Sequence, residues 1–267
     1  MHTSAPSDER APFLSVVIPA YNEERRILPT LRQLSGYLGT RPYTWEVLVV
    51  DDGSADKTAA LVTEFSATHP NFSLLSVPHG GKGFAVQAGM LQASGAYRFL
   101  CDADLSMPIE QLERFLPPKL RDFDVAVGSR EILGARRFNE PRVRHIQGRL
   151  FNLFVRFVAV PGVSDTQCGF KCFRGDVAES LFPLQRTSGW GFDVELLFLA
   201  RMLHLRLMEV PIDWHHDPDS RSRRLRDGLS MGVETLRLRW NARRGRYGTL
   251  KPPSAMPVGR EKRSKEG

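Results

Sequence analysis

Short apolar runs punctuate the first half of the chain, and polar turn residues follow each run. The runs are rich in β-branched residues and too short for helices, which is typical of strands buried on both faces of a parallel sheet. They occupy residues 14–18, 45–50, 72–77, 97–101 and 125–128. The pattern therefore predicts five buried strands in the first half of the chain.

The stretches between these runs carry their apolar residues at a helical period. Residues 24–38, for example, have apolar side chains at positions 27, 28, 31, 34 and 38. Capping residues at 54–58 predict a second helix to residue 68, and the glycine-rich segment 80–83 precedes a third helix that runs to residue 93. Alternating strands and helices predict the α/β class, with a mostly parallel, doubly wound central sheet flanked by helices. Ligands bind such sheets outside the carboxyl ends of the strands.

Two arginine-rich stretches in the second half of the chain have the spacing of amphipathic helices. Residues 142–160 carry four arginines among aliphatic and phenylalanine residues. Residues 225–240 carry an apolar stripe, which consists of Leu225, Leu229, Val233, Leu236 and Trp240. A basic amphipathic helix of this kind lies on an anionic membrane surface, or it packs on the sheet and turns its arginines to solvent. The sequence leaves both interpretations open.

The composition supports one globular domain with short polar ends. Apolar residues make up 42% of the 267 residues and charged residues 25%, so the chain can bury a sizeable core. Residues 13–249 are predicted to form a single domain. The ends, 1–12 and the basic stretch 250–267, are rich in proline and charge and are predicted to be disordered.

The net charge of +7 comes from one part of the chain. Residues 221–246 contain nine arginines against two acidic residues, so this segment alone carries +7 and the remainder is formally neutral. The protein is therefore not a basic coat for nucleic acid, and no nucleic-acid partner is expected. The alternative is a non-catalytic module that binds nucleotides or nucleic acid through this cluster, without any need for Asp102 or Asp104.

The cysteine content and the hydropathy indicate a protein of a reducing compartment. The three cysteines, Cys101, Cys168 and Cys172, do not form a disulfide framework, and no second pair stands at the spacing of a structural zinc site. The first twelve residues lack the apolar stretch of a signal peptide. The best candidate for a membrane span, 150–160, is too short and is interrupted by polar residues. We therefore expect a cytoplasmic protein without a transmembrane helix.

Acidic and polar residues collect immediately after three of the predicted strands. The segments are 19–23 (PAYNE), 51–54 (DDGS) and 102–104 (DAD). Because the carboxyl ends of parallel strands meet at one edge of a sheet, these segments should lie side by side. Asp102 and Asp104 can then face one site, and two carboxylates suit Mg²⁺ or Mn²⁺, which accept substrate phosphate oxygens as further ligands. Such an ion neutralises a leaving diphosphate.

Lys82, in the glycine-rich segment GGKGFA, is a candidate cation at the same edge of the sheet. The spacing of a Walker nucleotide-binding loop is absent, so the segment is not a P-loop. A lysine on a flexible glycine-rich loop can nevertheless approach a diphosphate. Lys82 is therefore a candidate substrate-binding residue.

Taken together, these motifs resemble those of the family 2 inverting glycosyltransferases, which have the GT-A fold. The matching segments are IPAYNEE (18–24), VVDDGSADKT (49–58), GGKGFA (80–85), DADLS (102–106) and VGSR (127–130). Three later segments are similar to the dolichyl-phosphate β-glucosyltransferase and polyprenyl-phosphate glycosyltransferase branch, which is related to dolichyl-phosphate mannose synthase. They are DTQCGFK (165–171), WGFDVELL (190–197) and EVPIDWHH (209–216). The resemblance implies a hexosyltransferase with a Rossmann-like GT-A domain, whose nucleotide-binding half lies at 13–130 and whose acceptor half lies at 131–249.

The resemblance also implies where the nucleotide of the donor lies. Pro19, Tyr21 and Glu23 would line the pocket for the base and the ribose. Val50 and Asp52 would meet the base, and Asp52 is suited to accept a hydrogen bond from a uracil N–H. The donor implied for the glucosyl branch is UDP-glucose.

The DADLS segment would contact the nucleotide and hold the metal. The resemblance assigns Asp102 and Ala103 to the nucleotide, and it assigns Asp102, Asp104 and Ser106 to a divalent ion, Mg²⁺ or Mn²⁺. Mannose synthases have glutamine at the position of Ser106. A serine hydroxyl can still ligate the metal, directly or through water.

Two arginines complete the site that the resemblance implies. Arg130 would bind a phosphate of the donor or of the acceptor, and Arg221 matches a basic residue on a loop that closes over the donor. The candidate catalytic residues are Asp104 and Arg130, with Asp193 as a third.

The acceptor decides whether the reaction needs a general base. The resemblance implies inverting transfer of a hexose, glucose in the first place, to a polyprenyl or dolichyl phosphate. A phosphate monoester has a second pKa of about 6, so this acceptor is already anionic and needs no base. Arginine and the metal then offset the repulsion between two anions. The first alternative is a hydroxyl acceptor on a saccharide or glycolipid with Asp193 or Glu195 as base, and the second is mannosyl transfer from GDP-mannose.

The resemblance also bears on the membrane. Many members of this branch carry a transmembrane anchor, which this sequence lacks. We therefore expect a peripheral protein on the cytoplasmic face, bound to the membrane surface through the basic amphipathic helices. The sequence makes no prediction about the oligomeric state.

Overall fold

The computed structural model describes residues 11–216 and 224–248. The predicted tails, 1–12 and 250–267, lie outside the described residues except for residues 11 and 12, and Arg221 lies outside them too. The strands of the described part are β1 (Leu14–Ala20), β2 (Trp45–Asp51), β3 (Phe72–Ser76), β4 (Tyr97–Leu100), β5 (Val125–Ser129), β6 (Arg136–Phe138), β7 (Lys171–Arg174), β8 (Leu207–Pro211) and β9 (Asp213–His215). The α-helices are α1 (Ile27–Leu38), α2 (Thr58–Thr68), α3 (Lys82–Gln92), α4 (Arg142–Val158), α5 (Gly175–Leu181), α6 (Phe192–Met202) and α7 (Arg224–Arg243).

The central sheet has seven strands in the described part, in the order β3-β2-β1-β4-β7-β5-β8. β1 runs parallel to both of its neighbours, with Val17 opposite Leu48 on β2 and Leu100 on β4. β7 is antiparallel to both β4 and β5, whereas β8 is parallel to β5. The prediction of an α/β protein with a mostly parallel sheet is confirmed. The carboxyl ends of β1, β2 and β4 lie at one edge of this sheet, as the motifs require.

The sheet separates two apolar layers because alternate side chains of a strand point to opposite faces. Val16 packs in the layer that contains α1, whereas Val17 packs in the layer that contains α3. α3 lies very close to the sheet at Gly89, where a Cβ atom would stand 2.5 Å from Val17 Cγ1 and 2.6 Å from Val50 Cγ2. This close approach fixes the helix that begins at Lys82 over the ends of the strands.

All the strands and helices predicted for the first half are present, with ends that differ by a few residues. The later strands β7 and β8 were not predicted, nor was the small parallel sheet of β6 and β9. The sequence of β7 is KCFR, and because its first and last residues are charged, the apolar pattern did not predict a buried strand there. Lys171 is fully buried there because a carboxylate, that of Asp193, compensates its charge.

The two arginine-rich stretches form the helices α4 and α7, as predicted. Several of their apolar side chains are exposed: Leu150 and Phe157 on α4 are 64% and 85% accessible, and Leu236 and Trp240 on α7 are 56% and 49% accessible. α7 packs into the core through a different face, which carries Leu238. Three positions of the apolar stripe of α7 lie among the side chains that the structure describes, Val233, Leu236 and Trp240, and these three are exposed rather than packed on the sheet. No helix in the described ranges is both long and apolar enough to cross a bilayer.

Candidate active site

Asp52 connects the loop after β2 to the glycine-rich loop (residues 80–83). Its buried carboxylate accepts hydrogen bonds from the first two backbone N–H groups of that loop, at 2.8 and 3.0 Å. Nδ1 of His79 lies 2.9 Å from the same carboxylate, and the His79 ring stacks on Tyr21 with the centroids 4.3 Å apart. The segments that follow β1, β2 and β3 are thereby joined at one edge of the sheet.

Lys82 and Asp102 form an ion pair within this site. Nζ of Lys82 lies 2.7 Å from Oδ1 of Asp102 and 5.1 Å from the centroid of the Trp190 ring. Burial disfavours both charges, but the pairing raises the pKa of Lys82 above its ordinary value and holds the pKa of Asp102 below its own. Both groups are therefore charged at neutral pH.

Gly169 leaves the space that the Asp102 carboxylate occupies. A Cβ atom at this position would stand 2.0 Å from Oδ2 of Asp102, so a larger residue would displace the carboxylate. Gly169 stands in the DTQCGFK motif, yet no role was predicted for it. A glycine just before a strand often indicates that another group approaches the backbone closely, and this signal could have identified Gly169.

The turn after Asp102 carries the second acidic residue of the predicted metal site. Oδ1 of Asp104 accepts a hydrogen bond from the backbone N–H of Ser106 at 2.9 Å. The hydroxyl of Thr30 on α1 donates to the carbonyl oxygen of Ala103 at 2.6 Å, which fixes the turn against that helix. Burial and the nearby charge of Asp102 raise the pKa of Asp104.

The two carboxylates fit a divalent ion that also binds substrate. Within 11–216 and 224–248, no cluster of three or more His, Cys, Asp or Glu side chains could hold an ion alone. An ion held by Asp102, Asp104 and the hydroxyl of Ser106 would have further ligand positions for diphosphate oxygens and water. That oxygen-rich, partly solvated set is what Mg²⁺ and Mn²⁺ favour.

Arg130 is clamped by a buried carboxylate. Nε and Nη2 of Arg130 lie 2.7 and 2.9 Å from the two oxygens of Asp165, and the guanidinium carbon lies 5.3 Å from the centroid of the Trp214 ring. Burial opposes ionisation of Asp165, but Arg130 lowers the pKa of that carboxyl to about 2. The charge of Arg130 also contributes to the lowered pKa of Asp102. The arginine is therefore held in one orientation, within electrostatic reach of the acidic motif.

Asp193 pairs with a buried lysine. Its Oδ1 lies 2.5 Å from Nζ of Lys171, which also donates to the carbonyl oxygen of Cys168. Burial raises the pKa of Asp193, and the charge of Lys171 opposes that shift. The carboxylate of Asp193 thus compensates a charge inside the protein. No role was predicted for Lys171, although a lysine in an apolar strand is an unusual feature that could have revealed it.

The structure corrects the prediction that Glu195 could act as a base. This side chain is fully buried, and its oxygens accept hydrogen bonds from the backbone N–H groups of Arg186 and Thr187 and from the Tyr247 hydroxyl, at 3.0, 2.7 and 2.8 Å. A carboxylate that is engaged by three donors and shielded from solvent cannot take a proton from an acceptor hydroxyl. Asp193 and Glu195 are close in sequence, but α6 directs them to different partners.

Three further residues, Pro19, Glu23 and Val50, were predicted to contact the nucleotide of the donor. Pro19 is partly buried at the end of β1. Glu23 donates its backbone N–H to Oγ1 of Thr58 at 2.7 Å, and its carboxylate pairs with Arg26. The side chain of Val50 is fully buried against α3, so a contact between this residue and a base has to come from its main chain.

Comparison with known proteins gives matches along most of the chain. The model of glycosyl transferase family 2 matches residues 15–182. A dolichyl-phosphate beta-glucosyltransferase of Trichomonas vaginalis is 36% identical over 259 residues, which cover 92% of this chain and 76% of the relative. Proteins of the same name from Drosophila melanogaster and Homo sapiens are 36% and 31% identical, and each alignment covers 85% of this chain and 75% or 74% of the relative.

Solved structures share the fold. Mannosyl-3-phosphoglycerate synthase from Rubrobacter xylanophilus matches with a TM-score of 0.63 at 19% identity, over 92% of this chain and 79% of that chain. Glucosyl-3-phosphoglycerate synthase from Mycobacterium tuberculosis, solved with Mn²⁺, UDP-glucose and glycerol 3-phosphate, matches with a TM-score of 0.58 at 20% identity, over 88% of this chain and 80% of that chain. These likenesses confirm the expected GT-A architecture.

Proposed function

The chain belongs to glycosyl transferase family 2, and from that premise we propose that it transfers glucose from UDP-glucose to dolichyl phosphate or a related polyprenyl phosphate. The observation that carries the proposal is the 31–36% identity to dolichyl-phosphate beta-glucosyltransferases along 85–92% of this chain. The arrangement of Asp102, Lys82 and Arg130 at the carboxyl edge of the sheet supports it.

The base and ribose of the donor would lie beside Pro19, Tyr21 and Glu23, with Asp52 as acceptor for a uracil N–H. Two backbone N–H groups donate to the carboxylate of Asp52, and Nδ1 of His79 lies 2.9 Å from it. An ionised carboxylate offers about four acceptor positions, so one remains for the base. The synthase from Mycobacterium tuberculosis, which has the same fold, was solved with UDP-glucose.

The diphosphate of the donor would face the acidic turn and Lys82. Asp102, Asp104 and Ser106 would hold Mg²⁺ or Mn²⁺, which supplies positive charge to the leaving diphosphate as a Lewis acid when bound. The ammonium of Lys82, 2.7 Å from Asp102, adds a second cation at the same place. Ala103 would contact the nucleotide through the backbone that Thr30 holds in position.

The acceptor phosphate needs orientation rather than deprotonation. With a second pKa of about 6, it carries an anionic oxygen at neutral pH. That oxygen attacks the anomeric carbon opposite the diphosphate, and the new C–O bond forms as the bond to UDP breaks, so the configuration inverts. Asp165 accepts one N–H each from Nε and Nη2 of Arg130, and the described contacts leave the N–H groups of Nη1 and the second N–H of Nη2 for a phosphate.

A hydroxyl acceptor is less compatible with these contacts, because it requires a general base. Glu195 is sealed in the interior, and the carboxylate of Asp193 compensates Lys171. Transfer of mannose from GDP-mannose is the alternative, and an assay with UDP-glucose and GDP-mannose in parallel distinguishes the two donors.

We also propose that α4 and α7 bind the cytoplasmic face of a membrane. Exposed apolar side chains on both helices, such as Phe157 and Trp240, stand beside arginines that would meet anionic headgroups. A polyprenyl phosphate presents its headgroup at such a surface, so the attachment would bring the protein to its acceptor.

The test is transfer of radiolabelled sugar to dolichyl phosphate by the full-length chain, with UDP-glucose and GDP-mannose in parallel and with Mg²⁺, Mn²⁺ or EDTA. We expect lipid-linked label from UDP-glucose alone, dependent on metal and lost in Asp104→Asn. The exposed carboxylate of Asp122 provides the matched control, Asp122→Asn, which should retain transfer. Label from GDP-mannose alone would show that the transferred sugar is mannose. Metal-dependent binding of UDP-glucose without a lipid-linked product would show that dolichyl phosphate is not the acceptor.

A further inference from the structure

The glycine-rich loop (residues 80–83) rests on a second loop, residues 185–190, which precedes α6. The backbone N–H of Phe84 donates to the carbonyl oxygen of Ser188 at 3.2 Å, and Nε2 of Gln185 donates to the carbonyl oxygen of Gly83 at 2.8 Å. The two backbones are in such close contact that a Cβ atom at Gly83 would stand 2.6 Å from the carbonyl oxygen of Thr187. The position of Lys82 therefore depends on the 185–190 loop.

The carboxylate of Glu195 anchors the 185–190 loop through hydrogen bonds to its backbone. One carboxylate oxygen accepts both backbone N–H groups at the start of the loop, those of Arg186 and Thr187. Because the side chain is fully buried, bulk solvent does not reach the carboxylate, which relies on its hydrogen-bond donors. Loss of a donor would therefore weaken the anchor of the whole loop.

The remaining donor comes from beyond the end of α7. The hydroxyl of Tyr247 donates to the second oxygen of Glu195 at 2.8 Å, across 52 positions of sequence. Burial and the charge of Glu195 raise the pKa of Tyr247, so the hydroxyl stays protonated and remains a donor. The Tyr247 ring is itself buried in the core, next to the guanidinium of Arg186.

We propose that Tyr247 and Glu195 are positioning residues for the transfer reaction: through the 185–190 loop, they hold the glycine-rich loop and Lys82 in place for the donor diphosphate. Nothing in the transfer chemistry requires either side chain to touch substrate. The contribution of Lys82 to donor binding rests on the proposed function, whereas the mechanical link between the loops does not.

The chain contains a matched control for the Tyr247–Glu195 contact. The hydroxyl of Tyr43, before β2, donates to Oε1 of Glu113 at 2.7 Å, and Tyr43 is partly buried whereas Tyr247 is buried. Tyr247→Phe and Tyr43→Phe therefore remove the same kind of hydrogen bond while keeping the ring. The Tyr247–Glu195 bond is linked to the glycine-rich loop through the 185–190 loop, whereas the Tyr43–Glu113 bond is not part of that chain of contacts.

The experiment measures amide hydrogen exchange in the ligand-free full chain and steady-state kinetics with the same samples. In Tyr247→Phe we expect the Phe84 and Thr187 amides to exchange about tenfold faster, since a hydrogen bond to a charged group is lost. We expect the KM for UDP-glucose to rise by a similar factor, with the KM for dolichyl phosphate unchanged. Tyr43→Phe should alter none of these values.

Unchanged exchange at Phe84 in a folded Tyr247→Phe protein would overturn the inference. Equal acceleration in Tyr43→Phe would do the same, because it would reveal a general loss of stability. Failure of the proposed function would look different: the wild-type chain would transfer no glucose to dolichyl phosphate, while the exchange data would still decide whether Tyr247 positions the glycine-rich loop.

Discussion

The ammonium of Lys82 lies 2.7 Å from the carboxylate of Asp102, so a cation and an anion are paired at the carboxyl edge of the sheet. The two residues are 20 positions apart, one at the start of α3 and the other just after β4. Their meeting reflects the parallel sheet, which brings the segments after its strands to one edge.

Removal of the Lys82 charge should weaken donor binding. We expect Lys82→Gln to raise the dissociation constant for UDP-glucose about tenfold or more, because a charge-assisted contact contributes about 1.5–3 kcal/mol. Isothermal titration of UDP-glucose measures the effect, with Lys119→Gln, at an exposed position, as the control. Equal affinity in Lys82→Gln and the wild type would exclude a contact between Lys82 and the diphosphate.

Gly169→Ala should abolish most of the activity while the protein stays folded. The new Cβ atom would stand 2.0 Å from Oδ2 of Asp102 and force the carboxylate to move. We expect kcat/KM to fall about a hundredfold, the scale on which electrostatic groups at a reacting centre act. Gly36→Ala is the control, since a Cβ atom there meets nothing within 4 Å. Near-normal activity in Gly169→Ala would show that Asp102 need not occupy its present position.

Asp193 should matter for stability more than for chemistry. Asp193→Asn leaves Lys171 buried without its counter-charge, which we expect to lower the free energy of unfolding by about 3–5 kcal/mol. The double variant Lys171→Met with Asp193→Asn should recover most of that loss. It should also keep transfer to dolichyl phosphate within about tenfold of the wild type, whereas loss of a general base costs about a hundredfold or more. A loss of that size in the stable double variant would make Asp193 the base.

Ionisation of Asp165 should make the free energy of unfolding depend on pH. Its folded pKa of about 2 lies below the unfolded value of about 3.9. The ionised carboxylate therefore stabilises the fold above pH of about 4, by about 2.5 kcal/mol, and this contribution disappears as the pH falls towards 2. Urea unfolding at pH 7 and pH 3 should show a gap between the wild type and Asp165→Asn that narrows at the lower pH. Asp122→Asn, at an exposed position, should show no gap; a constant gap for Asp165→Asn would contradict the assignment.

Charge on the apolar face of α4 should release the protein from membranes. We expect Leu150→Glu combined with Phe157→Glu to lower binding to vesicles that contain anionic lipid by at least about tenfold, because both side chains are exposed and beside arginines. Flotation of the vesicles measures the effect. Leu91→Glu introduces the same charge at an exposed leucine of α3 and should bind as the wild type does. Equal flotation of all variants would count against α4 as a membrane contact.

The parts of the fold that follow from local pattern could be predicted from sequence. Apolar runs and helical periods located the first five strands and three helices, and parallel topology then implied that Asp52, Lys82 and Asp102 would meet. The β7 strand was missed because Lys171 and Arg174 interrupt its apolar pattern. The charge of Lys171 is compensated by Asp193, 22 positions away, which no local pattern reveals.

The difference between Asp193 and Glu195 illustrates the same limit. Two carboxylates in FDVE are equivalent as sequence, and only the packing of α6 directs one to Lys171 and the other to Tyr247. The space that Gly169 leaves for Asp102 is also a property of tertiary contact. Motif position thus predicts which residues gather at the site, whereas their charge partners depend on the packed structure.

Base-free transfer to a lipid phosphate is tested most directly by a comparison of dolichyl phosphate with dolichol as acceptors for glucose from radiolabelled UDP-glucose. The two lipids differ only in presenting a phosphate or a hydroxyl. We predict glucose-labelled product from dolichyl phosphate, retained within about tenfold in the Lys171→Met, Asp193→Asn double variant, and none from dolichol. Efficient labelling of dolichol that depends on Asp193 would contradict it.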